Sequence, residues 1–569
     1  MSTNGLADSS TVAARLAEFR VLDGLNPRAV RQVARMGSWL CLPGGLELAR
    51  EGSHDRSLFF ILSGTMSVQV SDGRGALECV AHVPAGETVG EMSLLSDEPH
   101  SARLIAHRDC EIFVLGRDAF ERIAAHHPQI LRNLSLLLIE RLRRTTSRAL
   151  LHPRCRAIAL LGEGHGDEVH DIAMRLLPAL RTLGLSVECL DASAQGRPAE
   201  WYQTLEARHD ILLYLASEQD TVWWRQAERQ ADRIMLVGKG ERPPPGNNEV
   251  RAHKPADRIV LGDDLMPVET SGLRPVAGLR HVVRRGVTRD IDRLARHLAG
   301  RAVGLVLSGG GARGFSHVGV YRALTEAGVP IDAIGGTSMG ALIAAGIARE
   351  WDVAELQDRL KAAFVTSNPI SDFTLPTVSF FGGRKVRSLL ERNFGPIKIE
   401  DLALPYLCVT ADLTSGSDVA HRSGLLSERL AASVALPGLL PPVVIDDHIH
   451  VDGGIMNNLP VDHMRRLTTG PIIAVDVCGD TSLGGARGTV PGILSILART
   501  GTVGNEWQRR EARRQASILI EPSVSMVGFR DWPLFDRAAA IGYETTCRSL
   551  ETCADSFAAL TALANKSAA

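Results

Sequence analysis

The residues of this chain best suited to chemistry are a hydroxyl framed by glycines, Gly336-Thr337-Ser338-Met339-Gly340, and a triple-glycine run, Leu307-Ser308-Gly309-Gly310-Gly311-Ala312-Arg313-Gly314. Each follows a short apolar stretch. A hydroxyl attacking an ester carbonyl creates an oxyanion, and backbone amides reach it best where no side chain stands in the way, as in consecutive glycines. Ser338 is therefore the candidate nucleophile, with Gly336 and Gly340 framing its elbow, and Gly309, Gly310 and Gly311 are the oxyanion-hole candidates. The hydroxyl needs a base. A third segment, His448-Ile449-His450-Val451-Asp452-Gly453-Gly454, offers two: Asp452 alone, or a histidine, His450 or His448.

Residues 303–307, 331–334 and 442–445 read as buried strands, and 318–327 and 341–350 as helices. Both glycine motifs thus fall at strand-to-helix turns, and the positive end of a helix dipole faces the charge developing at Ser338. With 54 glycines in the chain, a lone G-x-S-x-G carries little weight. The glycine run also lacks the G-x-G-x-x-G spacing and the lysine of nucleotide loops. The three motifs in this order resemble the patatin-like phospholipases over about residues 300 to 470, with Ala411-Asp412-Leu413-Thr414-Ser415-Gly416 and Ala432-Ser433-Val434-Ala435-Leu436-Pro437 as further family-like segments. That resemblance implies a Ser338-Asp452 dyad without histidine, and places Arg313 beside the three glycines at the oxyanion hole.

At 569 residues the chain predicts three or four domains. Lys plus Arg (63) balance Asp plus Glu (65), which gives no sign of a nucleic-acid partner. Most of the nine scattered cysteines, with no C-x-x-C pair, read as buried thiols in a reducing compartment, with no metal site. No stretch approaches about 18 apolar residues and residues 1–10 are polar, so a cytoplasmic protein is expected, peripheral on the inner membrane at most.

Between residues 40 and 115, short alternating apolar segments are separated by glycines, an all-β spacing. A helical pattern runs from 120 to 150. Ile61-Leu62-Ser63-Gly64 and Val89-Gly90-Glu91-Met92-Ser93-Leu94-Leu95 resemble the cyclic-nucleotide-binding domain, a jelly-roll barrel. The resemblance implies that Glu91 holds a ribose hydroxyl and Gly90 frees amides for a phosphate. Where that family has Pro-Arg, this chain has Pro99-His100, and Arg103 lies three residues late. A histidine, mostly neutral at pH 7, lacks the bidentate guanidinium pair. Gly90, Glu91, His100 and Arg103 are the candidate sensor residues, with a cyclic nucleotide as the candidate ligand.

Apolar runs near 156–161, 186–190, 210–215 and 233–237 alternate with helical patterns, a small parallel α/β unit. Gly162-Glu163-Gly164-His165-Gly166 resembles a worn phosphate loop without its lysine, hence a spacer domain. No helix-turn-helix follows the sensor. The basic stretch at 281–296 reads as a solvated helix face, or as a contact for anionic lipid headgroups. The segment at 373–383, apolar and aromatic, reads equally as an acyl-chain wall, a mobile lid or a buried loop, and residues 490–497 are similarly apolar.

The expected architecture is multidomain: a β jelly-roll barrel plus helix (15–150), a small parallel Rossmann-like α/β domain (151–270), a linker helix (271–302) and an α/β/α patatin-like hydrolase domain (303–569, core 303–470). This order resembles bacterial relatives of neuropathy target esterase. It implies a calcium-independent hydrolase that needs no cofactor and releases fatty acid from lysophospholipid or phospholipid, with transient membrane contact. The alternative is a regulatory ligand-binding protein with a residual esterase domain.

Overall fold

The computed structural model describes residues 9–71, 77–96, 98–146, 155–163, 167–197, 199–238, 254, 256–262, 278–478 and 506–565. The chain divides into two compact units, Met1–Met174 with Leu185–Arg258 and Arg274–Gly278, and Arg175–Gly184 with Ile259–Leu273 and Leu279–Ala569.

In the first unit, alternating apolar residues build two four-stranded antiparallel sheets, the expected jelly roll. One orders its strands Ser38–Leu42, Cys110–Gly116, Ser57–Ser63, Thr88–Val89, and the other Glu47–Ala49, Arg103–Ala106, Thr65–Ser71, Leu77–Pro84. The single helix expected over 120–150 is two, Arg117–His126 and Gln129–Thr146, because Pro128 between them disfavours helical geometry at the preceding residue. Continuous apolar runs give four parallel strands in the order Val187–Leu190, Ile211–Ser217, Ala157–Gly162, Arg233–Val237, as strands buried on both faces should. Arg108 joins barrel to sheet, donating to Asp232 (2.5 Å) and Glu206 (2.6 Å). Residues 164–166 of the worn phosphate loop lie outside the described residues, as does 490–497.

The second unit is built on an eight-stranded mixed sheet. Its parallel centre runs Tyr406–Asp412, Ala333–Thr337, Gly304–Leu307, Ile472–Val475, Ile518–Ile520; His448–Asp452 then pairs antiparallel to Tyr406–Asp412. Alternation along the strands sends Leu305, Leu307 and Ile473 into one core and Val306, Ala333 and Ile472 into another. The sheet is therefore covered on both faces, a three-layer arrangement.

The helix Thr288–Leu298 corrects one expectation. Only part of its basic face is solvated: Arg289 is exposed, but Arg293 and Arg296 are buried. Arg296 grips Asp332 through two bonds (2.9 and 2.8 Å), Asp332 also accepts from the Val303 amide (2.9 Å), and Arg284 pairs with Asp290 (2.7 Å) and Glu350 (2.7 Å). Bidentate pairs of this kind fix position as well as charge. They hold the entry to the two strands that carry the glycine motifs.

Candidate active site

The strand Ala333–Thr337 ends at Ser338, which caps the helix Met339–Ala348. Ser338 has φ 55° and ψ −125°, a left-handed conformation costly for a side-chain-bearing residue. The strain holds the hydroxyl at the bend. Glycine is required on either side because a Cβ at Gly340 would press on the Ser308 carbonyl (2.6 Å) and one at Gly336 on the helix backbone at Gly340 (2.9 Å).

Register brings the base to the nucleophile. Thr337 pairs with Val409, and the next residue, Thr410, pairs with Asp452 on the antiparallel strand. Asp452 Oδ2 accepts from Ser338 Oγ at 2.7 Å, while Oδ1 accepts from the Gly454 amide at 2.8 Å. Both side chains are buried, and no ion pair to Asp452 occurs among the described residues. Burial raises the Asp452 carboxyl to about 6, against the lowering effect of its two hydrogen bonds.

Neither histidine joins them. His450 Nδ1 lies 2.9 Å from Thr410 Oγ1, and His448 Nδ1 lies 2.7 Å from Asp412 Oδ2. His450 shares a strand face with Asp452, yet two residues along a strand is about 7 Å, too far for contact with the elbow.

The glycine run follows the Gly304–Leu307 strand and passes into a short 3₁₀ turn, Gly311–Phe315. Gly309 abuts the nucleophile, since a Cβ there would meet Ser338 Cβ at 3.0 Å and Asn458 Oδ1 at 2.7 Å. Its amide is committed to Asn458 Oδ1 (3.2 Å), so the donors left for an oxyanion are those of Gly310 and Gly311. Arg313 donates Nε to the Val527 carbonyl (2.8 Å), and the Ala312 amide donates to Phe529 (2.9 Å). These two bonds brace the loop.

Two positioning contacts carry no spacing signal in the sequence. Ser433 Oγ accepts from the Ser338 amide (3.0 Å) and donates to Val409 (2.7 Å). Asn458 holds Gly309 from both sides, by its amide and its carbonyl (3.3 Å). Ser433 lies in a segment singled out as family-like; Asn458 was not singled out.

The sensor residues meet partners of their own. Glu91 begins the helix Glu91–Ser96 and is buried, its Oε1 paired with Arg141 of the helix Gln129–Thr146. Arg141 also reaches Glu87 (3.1 Å) and the Thr88 carbonyl (2.6 Å). Burial raises the Glu91 carboxyl, with Arg141 opposing. Gly90 has φ +90°, His100 is buried with Nε2 3.4 Å from Ser93 Oγ, and Arg103 is bound to Glu47. The Arg103 guanidinium is thus committed to Glu47.

Comparison with known proteins finds two family matches. Residues 305–465 match the family model described as patatin-like phospholipase, and residues 40–127 that of the cyclic nucleotide-binding domain. Patatin-like phospholipase domain-containing protein 6 of Pongo abelii is 30% identical over 95% of this chain and 46% of its own length. Lysophospholipase nte1 of Aspergillus terreus is 28% identical over 92% of this chain and 42% of its own. The chain thus spans less than half the length of these curated relatives. A solved cyclic nucleotide-binding domain from Methylobacillus flagellatus KT is 28% identical, covering 25% of this chain and 84% of that one, with a TM-score of 0.23.

Proposed function

We propose that this chain, which carries a patatin-like phospholipase domain, is a serine acyl hydrolase releasing fatty acid from lysophospholipids or phospholipids. The observation that carries the reading is the buried 2.7 Å contact between Ser338 Oγ and Asp452 Oδ2. Asp452 takes the hydroxyl proton as Oγ attacks the ester carbonyl, and the amides of Gly310 and Gly311 receive the oxyanion. Collapse of the tetrahedral intermediate expels the alcohol, which takes the proton back from Asp452. Water, deprotonated by Asp452, then attacks the acyl-Ser338 ester and frees the fatty acid and the serine. A carboxyl near 6 suits both directions of transfer at neutral pH.

No calcium ion is assigned to any step. The reading places the protein in the cytoplasm, in transient contact with the inner membrane; among the described residues no helix is long and apolar enough to cross one. The barrel is the candidate regulatory module, with a cyclic nucleotide as its candidate ligand.

Fatty-acid release from lysophosphatidylcholine in the presence of a chelator tests the reading. The parent protein should turn over, and Ser338→Ala should not; turnover by that variant overturns it. Failure of the parent to react with a fluorophosphonate ester would favour the alternative, a binding protein with a residual esterase domain.

A further inference from the structure

We infer that the finger at residues 371–382 is the element by which this protein docks on an anionic phospholipid bilayer, an inference that rests on the lipid-hydrolase reading. The segment closes on itself: Phe373 bridges to Phe381, the Thr374 amide donates to Phe380 (3.0 Å), and the Gly382 amide donates to Asp372 (2.8 Å). Its inner residues, Ser379 and Phe381, are buried, whereas Phe373, Leu375 and Val378 at its tip are 75%, 78% and 65% exposed. An acyl-chain wall or a closed lid would turn those three side chains inward. They face solvent.

The finger is bound to both halves of the active site. On one side the Phe380 and Phe381 amides donate to Gly438 (2.8 Å) and Leu439 (3.1 Å), in the segment whose Ala435 carbonyl receives the Asp452 amide (3.0 Å). On the other, Arg530 lies over the Phe381 ring (5.1 Å) and donates to Ile370 (3.0 Å), one residue beyond the Phe529 carbonyl that braces the oxyanion loop. An apolar tip at a site that consumes membrane lipid is otherwise a liability in water.

Charge selects the occupant. The finger runs directly into the helix Arg384–Phe394, whose exposed charges are Arg384, Lys385, Arg387 and Arg392 against Glu391. Among the described residues Arg384, Lys385 and Arg387 form no ion pair; Lys385 Nζ reaches only Ser371 Oγ at the finger's base (2.7 Å). Apolar tips beneath a basic rim match acyl chains beneath anionic headgroups. A second copy of this chain would bring the same positive rim against itself in a two-fold pairing.

The test is cosedimentation of the full chain carrying Ser338→Ala, so that binding is read without turnover, with vesicles of phosphatidylcholine alone or with one-third phosphatidylglycerol. Binding should be stronger to the anionic vesicles. The combined change Phe373→Ser, Leu375→Ser, Val378→Ser should weaken it about tenfold or more, as should Arg384→Glu with Lys385→Glu and Arg387→Glu. The same changes in the Ser338-bearing chain should leave hydrolysis of a water-soluble short-chain ester within about twofold, which shows the site intact and keeps this proposal separable from the enzymatic one. Unaltered anionic-vesicle binding by either variant overturns the proposal. So does a shift in oligomeric state, by sedimentation velocity, in the serine variant with vesicle binding unchanged, because the tip is then a self-association surface.

Discussion

Asp452 and Glu91 are both buried carboxylates whose affinity for a proton is raised by burial, and they differ in what faces them. Asp452 meets a hydroxyl and an amide; Glu91 meets a guanidinium. At Asp452 only hydrogen bonds from neutral groups oppose the effect of burial, whereas at Glu91 the Arg141 charge opposes it and ties the side chain in place. The two family-like domains thus stand in different states. In the patatin-like segment the buried carboxylate faces a hydroxyl, while in the segment resembling a cyclic nucleotide-binding domain Arg141 holds Glu91 and His100 lies beside Ser93.

The sharpest way to break this contrast is to remove the Asp452 carboxylate. Asp452→Asn should lower kcat/KM for lysophospholipid by about a thousandfold or more, while His450→Ala should change it by less than about tenfold. Equal losses would return the histidine to the mechanism. The Asn variant should also melt higher at pH 7. A folded-state pKa raised from 3.8 to about 6 means that stability falls as pH rises through that interval, by about 3 kcal/mol, and an amide does not incur that loss. Differential scanning calorimetry across pH 4 to 8 reads it.

Ser433→Ala tests the elbow. Loss of the hydroxyl frees the Ser338 amide, and kcat should fall by tens of fold with little change in KM, on the order of one buried hydrogen bond. Ser433→Thr should restore most of it. Acid pH gives a smaller effect: the base must be ionised, so kcat/KM should rise through a midpoint near 6 and stand about tenfold below its plateau at pH 5. A flat profile to pH 4.5 would contradict the base assigned here.

The cassette responds least. A fluorescent cyclic nucleotide should bind the parent protein at least about tenfold more weakly than the double variant His100→Arg, Arg141→Ala, which opens the glutamate and restores a guanidinium. Tight binding by the parent would show that Arg141 yields to ligand.

These outcomes follow the grain of what the sequence made legible. The glycine motifs and their strands could be read because each is a contiguous demand of the backbone: an apolar run, then a turn that only glycine fits. Asp452 could be read to within two candidates, since it and both histidines share one strand face and only the distance along that strand separates them. Arg141, Ser433 and Asn458 could not. Their partners lie 50, 95 and 149 residues away, and a side chain bonded across such a span leaves no local pattern. The basic helix at 288–298 misled for the same reason, because the acids that neutralise it, Asp332 and Glu350, belong to other elements.

The brace on the oxyanion loop has a practical consequence. The carbonyls of Val527 and Phe529, which hold Arg313 and Ala312, lie more than sixty residues past the segment 305–465 that matches the patatin-like family. Excising the matched segment alone would separate nucleophile and base intact from the scaffold that aims the amides. A fragment that keeps this brace must therefore extend at least to Phe529.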